Sequence, residues 1–220
     1  GQDEKKDTAE KSAPKIVLSK AEQAAVAEIK KLGGSVLEVA QNDARLDVAY
    51  HLADGKIDDK ALVPPKNLKH VYSLNLRGTE ITDAGLANIA GLTSLVRLHL
   101  ERTKVTDAGL AHLSGLLNLR RLNLWYTRVT DAGMIHLEAM TNLEWLNLEE
   151  TSVSDAGLDR LAVLSRLKTL NLANTKITDA AMPVLTSMKQ VVALNLSFTQ
   201  VSDSAIRRIQ QSLPDCRITR

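Results

Sequence analysis

A threonine–aspartate pair sits inside TKVTDAGLAHLSGL (Thr103–Leu116), and nearly the same phrase stands 24 residues earlier as TEITDAGLANIAGL and 24 later as TRVTDAGMIHLEAM. A hydroxyl beside a carboxylate is raw material for a reactive site. Two glutamates, Glu101 and Glu149, hold one register position two periods apart, with Trp125 midway. If those periods stack as strands, the two acids stand roughly 9–10 Å apart. That is near the upper limit for the acid pair of an inverting glycosidase, and the indole between them could stack on a sugar. Five histidines (His51, His70, His99, His112, His136) and a single cysteine, Cys216, complete the reactive set.

Spacing removes most of these. No two histidines stand at ligand spacing within one segment. His112 and His136 are equivalent residues one period apart and read as solvated surface histidines rather than a shared metal site. DGKIDD (Asp54–Asp59) resembles the start of a calcium loop, but its twelfth position is Pro65 instead of the bidentate glutamate. There is no G-x-S-x-G, no phosphate-binding glycine loop and no paired C-x-x-C, so no cofactor is expected. A lone cysteine rules out an intrachain disulfide, and Cys216 reads as a half-buried residue beneath a final strand. The Thr-Asp phrase recurs too often to be a catalytic pair, which an enzyme would carry once.

The elements that position these residues follow from the same period. Leu74, Leu98, Leu122, Leu146, Leu170 and Leu194 lie 24 apart, as do Leu76, Leu100, Leu124, Leu148, Leu172 and Leu196. Thr79 and Asp83 begin equally regular columns. In each unit the first part, such as VRLHL, alternates apolar and polar and predicts a short strand. The second part places Leu110, Leu113 and Leu116 on one face of a short helix. Thr106 or Asp107 stands where an N-cap is wanted. The glycines of the column Gly85, Gly109, Gly133 and Gly157 give way to Ala181 and Ala205, so that position asks for a small side chain rather than a positive φ.

This is the pattern L-x-x-L-x-L-x-x-[N/C/T]-x-L, carried by LVRLHLERTKVTDAGLAHLSGL (Leu95–Leu116) and its neighbours. Over about residues 47–220 the chain resembles the leucine-rich repeat family. It looks like the bacterial 24-residue TDAGL type, near the cysteine-containing and F-box-associated subclasses, with Thr where those use Cys or Asn. The resemblance implies an α/β, right-handed solenoid of horseshoe form, with a parallel sheet on the concave face and short helices on the convex face. It also implies a binding module rather than a catalyst.

Residues 1–15 carry mixed charge and almost no apolar side chain, and are expected to be a disordered leader. Residues 16–46 predict an N-terminal cap: a helix from about 20 to 32, opened by Ser19 and Glu22 in capping-box spacing, followed by a strand. Residues 47–70 read as a degenerate first repeat, its helix shortened by Pro64 and Pro65. Six repeats fill 71–212, and 213–220, where the period slips by one residue, form a C-terminal cap with an edge strand.

Composition narrows the partners. The 220 residues are 44% hydrophobic and 25% charged, as in ordinary globular chains, and only 3% aromatic. The net charge of +2 argues for neither nucleic acid nor an anionic membrane. No apolar run is long enough to span a bilayer. The tether-like leader suggests export to a bacterial envelope, with a cytoplasmic location as the alternative, and a monomer is expected.

The outward positions of the strands are where such a module varies. The Asn75, Asn123, Asn147, Asn171 and Asn195 row, with His99 in the second repeat, predicts a ladder of amides along the sheet. Repeats two to four add Arg97, Glu101, Arg102, Arg121, Trp125, Tyr126, Trp145, Glu149 and Glu150, whereas five and six offer mainly Thr, Ala, Ser and Asn. Trp, Tyr and Arg dominate binding hot spots. The expected function is therefore a non-catalytic module that binds a protein on the concave sheet of repeats two to four. The alternative is glycan binding, or glycan chemistry, with Trp125 between Glu101 and Glu149.

Overall fold

The computed structural model describes residues 17–40 and 43–220. The leader expected at 1–15 lies outside the described residues. Helix α1 (Lys20–Lys31) opens on a complete capping box. The Ser19 hydroxyl accepts from the Glu22 N–H, and the Glu22 carboxylate accepts from the Ser19 N–H at 3.0 Å and its hydroxyl at 2.7 Å. Gly33, at φ +84°, lets the chain turn back into the sheet.

One open sheet of nine strands follows the chain in order: β1 (Ser35–Glu38), β2 (Leu46–Ala49), β3 (Val71–Asn75), β4 (Arg97–His99), β5 (Arg121–Asn123), β6 (Trp145–Asn147), β7 (Thr169–Asn171), β8 (Ala193–Asn195) and β9 (Arg217–Thr219). Only β1 pairs antiparallel; every later neighbour is parallel. Short α and 3-10 segments beginning at Asp83, Asp107, Asp131, Asp155, Asp179 and Asp203 return the chain from one strand to the next. The result is a right-handed α/β solenoid, the hand that parallel crossovers require.

The register is the leucine period made physical. Leu74, Leu98, Leu122, Leu146, Leu170 and Leu194 are successive partners across the sheet. All lie buried with the second leucine column and the helical leucines in one continuous core. At the start, Val48 pairs with Leu74, an offset of 26 residues instead of 24. Yet the Glu80 N–H donates to the Ile57 carbonyl just as the Lys104 N–H donates to Ile81. The two surplus residues are therefore absorbed between β2 and Ile57, around Gly55 at φ +100°. At the other end the one-residue slip is absorbed before the strand. Cys216 is buried and Asp215 exposed, while Ala193 and Arg217 still pair at an offset of 24.

The recurring phrase does more than cap the helix. Each aspartate reaches forward to the next repeat. Asp107 accepts from the Thr130 N–H at 2.7 Å and the Thr130 hydroxyl at 2.6 Å. The same double bond joins Asp59 to Thr82, Asp83 to Thr106, Asp131 to Ser154, Asp155 to Thr178 and Asp179 to Ser202. Of the two residues the sequence offers as N-cap, the threonine takes that place and the aspartate is an inter-repeat clamp. Capping of the helix's own first turn is left to threonine hydroxyls such as Thr106 and Thr130, at a long 3.3 Å. The clamp also explains the small-residue column. A Cβ on Gly109 or Gly133 would overlap the Asp83 or Asp107 carboxylate, because the preceding aspartate passes directly beneath that backbone.

A second column closes each strand. The Thr79, Thr103, Thr127, Thr151, Thr175 and Thr199 hydroxyls each donate to the carbonyl three residues back, at 2.5–2.7 Å. At Thr79, Thr103, Thr127, Thr151 and Thr199 the backbone N–H donates to the same carbonyl at 3.2–3.3 Å, so the hydroxyl fills its second acceptor site and fixes the turn away from the strand. Among the described residues no helix is long and apolar enough to cross a membrane.

Candidate functional site

The concave sheet carries its variable side chains in rows set by the register. Arg97 and Arg121 are direct partners on β4 and β5, and Arg121 is the partner of Trp145 on β6. Both arginines are exposed, because alternation turns them away from the buried Leu98 and Leu122 that follow them. Among the described residues neither pairs with a carboxylate. The Arg97 guanidinium stacks over the Tyr72 ring at 5.3 Å and that of Arg121 over Trp145 at 5.1 Å.

The next row centres on Trp125. The Arg77 guanidinium lies 5.8 Å and that of Arg102 5.3 Å from its ring, and Arg102 also stacks on Tyr126 at 5.4 Å. The Trp125 indole N–H donates to Glu150 at 3.3 Å. Glu101 stands between Arg77 and Trp125 in that row, so their contact passes over it and leaves it only 5% exposed. Beneath this roof one Glu101 oxygen accepts from the Asn123 amide at 2.5 Å and faces His99 Nδ1 at 3.0 Å. The other, Oε2, is buried without a hydrogen-bond partner.

Two expectations change here. The asparagines do not form a ladder with one another. Each side-chain oxygen accepts from the N–H two residues on, as Asn123 does from Trp125 and Asn147 from Glu149. The Asn123 and Asn171 amides donate back to the preceding repeat's Glu101 and Glu149. The amide oxygen is taken by the N–H of its own strand end, and at Asn123 and Asn171 the amide N–H by the neighbouring carboxylate, so no asparagine-to-asparagine ladder forms. Glu101 and Glu149, expected to present open carboxylates on either side of an indole, are tied to these amides instead. Glu101 is covered and Glu149 is half-buried.

The structure brings together Arg97, Arg121 and Trp145, and separately His99, Glu101, Arg102, Trp125 and Tyr126 with Glu150. It also adds Tyr72 and Arg77, which supply a ring for Arg97 and a second cation for Trp125. Tyr72 falls one residue before the outward row and so gave no sign of facing it. Only the stacking reveals the role of these two. Beyond each strand, Arg102, Tyr126, Glu150, Asn174 and Phe198 have φ between 53° and 57°, left-handed backbone that costs a non-glycine residue roughly 1–2 kcal/mol. Only Gly78 occupies that column without the strain. Tyr126 and Phe198 are 54% and 88% exposed there.

Elsewhere the reactive set is quiet. His112 is exposed, His136 half-buried, and among the described residues no cluster of metal-ligating side chains occurs. Cys216 is fully buried rather than half-buried, and burial pushes its thiol above the usual range.

Comparison with known proteins agrees with this architecture. A family model described as a leucine-rich repeat matches residues 67–90. The chain is similar to the solved structure of an internalin (inlF) from Listeria monocytogenes, with 25% identity and a TM-score of 0.62. The match covers 78% of this chain and 52% of that one, so this chain spans about half the length of that relative. It is also similar to internalin C2 (inlC2) of the same organism, at 25% identity and a TM-score of 0.62, over 94% of this chain and 99% of that one. No curated protein matches the sequence.

Proposed function

The chain is a leucine-rich repeat protein, and from that premise we propose that it is a non-catalytic protein-interaction module whose partner docks on the concave sheet of repeats two to four. The observation that carries the site is the set of arginine–aromatic stacks at Arg97, Arg121, Trp125 and Trp145, on a face whose scaffold does not need them. Stacking holds large side chains in fixed positions, so less entropy is lost when a partner arrives. Glycan chemistry is disfavoured on this reading because Glu101 is roofed and bound, and because each ring already carries a guanidinium where a sugar would lie. Location in a bacterial envelope is a proposal of the same kind, supported by the charged, apolar-poor composition of residues 2–15 and the bacterial source of both internalins.

The test is selective retention. Immobilised wild-type, Trp125→Ala and Thr169→Ala chains are exposed to the same extract. Proteins held by the first and third but lost from the second support the concave site. A partner retained equally by all three moves the site off this face.

A further inference from the structure

The proposed docking face has a charge pattern that specifies its occupant. Arg97 and Arg121 are cross-strand partners whose guanidiniums turn to opposite sides, toward Tyr72 on β3 and Trp145 on β6, so the two like charges are held apart and each stays open to an anion. The acids of this face do not supply one. Glu101 is taken by Asn123 and His99, Glu149 by Asn171, and Glu150 by the Trp125 indole. Among the described residues Arg77, Arg97, Arg102 and Arg121 form no ion pair, although their neighbours off this face do. Arg120 pairs with Glu144 at 2.8 Å, one residue from Arg121, and Lys104 pairs with Glu80, two residues from Arg102. Glu144 and Glu80 are thus spent on other cations, and the four guanidiniums lie over aromatic rings. A guanidinium held over a ring by cation–π attraction forms no hydrogen bond there, so its N–H fork remains available to pair with a carboxylate bidentately.

We propose that this surface binds an acidic polypeptide segment, whose successive carboxylates pair separately with Arg97 and Arg121 and bridge Arg77 to Arg102 while its backbone lies along Trp125 and Trp145. The proposal rests on the docking reading above and adds the chemistry of the partner. A polypeptide is favoured over a polysaccharide because the rings here are covered by guanidiniums, so they present cations rather than bare faces for sugar stacking.

Both tryptophans of the chain lie on this face, so intrinsic fluorescence reports on it directly. The probe is poly-L-glutamate titrated into the full chain, with heparin as the sulfated-polysaccharide arm. The expected result is a saturable change in emission that weakens roughly tenfold as salt rises from low to several times physiological. Arg97→Glu with Arg121→Glu lowers the affinity at least tenfold. Arg207→Glu with Arg208→Glu, exposed on the last helix, changes it less than twofold. Arg97→Ala with Arg121→Ala, which introduces no new charge, falls between the two and guards against a folding defect in the reversal variant. Equal loss in the concave and helical reversals overturns the inference, since net charge alone would then explain binding. Saturation by heparin without saturation by poly-L-glutamate overturns it in favour of a sulfated polysaccharide, and no response to either overturns it outright. In every such case the docking reading stands or falls separately, on whether Trp125→Ala loses the captured partner.

Discussion

Repeats two to four and repeats five and six are the same scaffold with different faces. The leucine columns are buried in both, the aspartate clamp joins Asp107 to Thr130 as it joins Asp155 to Thr178, and the threonine lock closes Leu124 as it closes Leu172. Apart from the change of Gly133 and Gly157 to Ala181 and Ala205 and longer helical segments at the end, what differs lies in the outward rows. Where β4–β6 carry Arg97, Arg121 and Trp145, β7 and β8 carry Thr169 and Ala193 in the same register. Because the second region folds without them, the arginines and aromatics of the first are surplus to the fold. Bonds that recur in every repeat hold the solenoid; side chains that appear in only part of it are free to serve something else.

That comparison can be broken at its core first. Leu122→Ala and Leu170→Ala should each cost about 2–5 kcal/mol, through lost burial plus the cavity left behind. Chemical denaturation measures both. A large inequality would mean that the two regions are not equivalent scaffolds, although spreading of damage along the array is expected in either case.

Binding should separate the regions most sharply. Trp125→Ala should weaken the captured partner by about 2 kcal/mol or more, some thirtyfold. Thr169→Ala, in the bland region, should change it by less than about 0.5 kcal/mol. Calorimetric titration of the two variants decides whether the arginine–aromatic rows carry the affinity.

The clamp should again make the regions alike. Asp107→Ala and Asp155→Ala each strip a partner from a backbone N–H and a hydroxyl, and each should cost about 1–3 kcal/mol in thermal or chemical unfolding. A negligible effect at both positions would show that water replaces the carboxylate without loss.

The smallest effect expected is on the stability of the Trp125→Ala protein, under about 1 kcal/mol. The indole packs on cations rather than on the leucine core, and its removal lets water reach the unpaired Glu101 oxygen. A protein that fails to fold would make Trp125 part of the scaffold and erase the distinction between the regions.

The sequence by itself determined the architecture, because its information is periodic and local. A leucine every 24 residues must face inward in every copy, and alternation within LxL decides which neighbours face out. The capping box of Ser19 and Glu22 was legible for the same reason, since both partners lie within one turn. What only the tertiary structure decided concerns mostly residues whose partners lie one or two periods away. Asp107 looks like a helix cap until the stacked repeats bring Thr130 within 2.7 Å of it. Asn123 looks like a rung of a ladder until Glu101 and the Trp125 N–H prove nearer. Glu101 looks like an open acid until Arg77 reaches across it to Trp125. Periodicity reveals which way a side chain points, but its bonding partner depends on the spacing between stacked turns and on the rotamers that spacing permits.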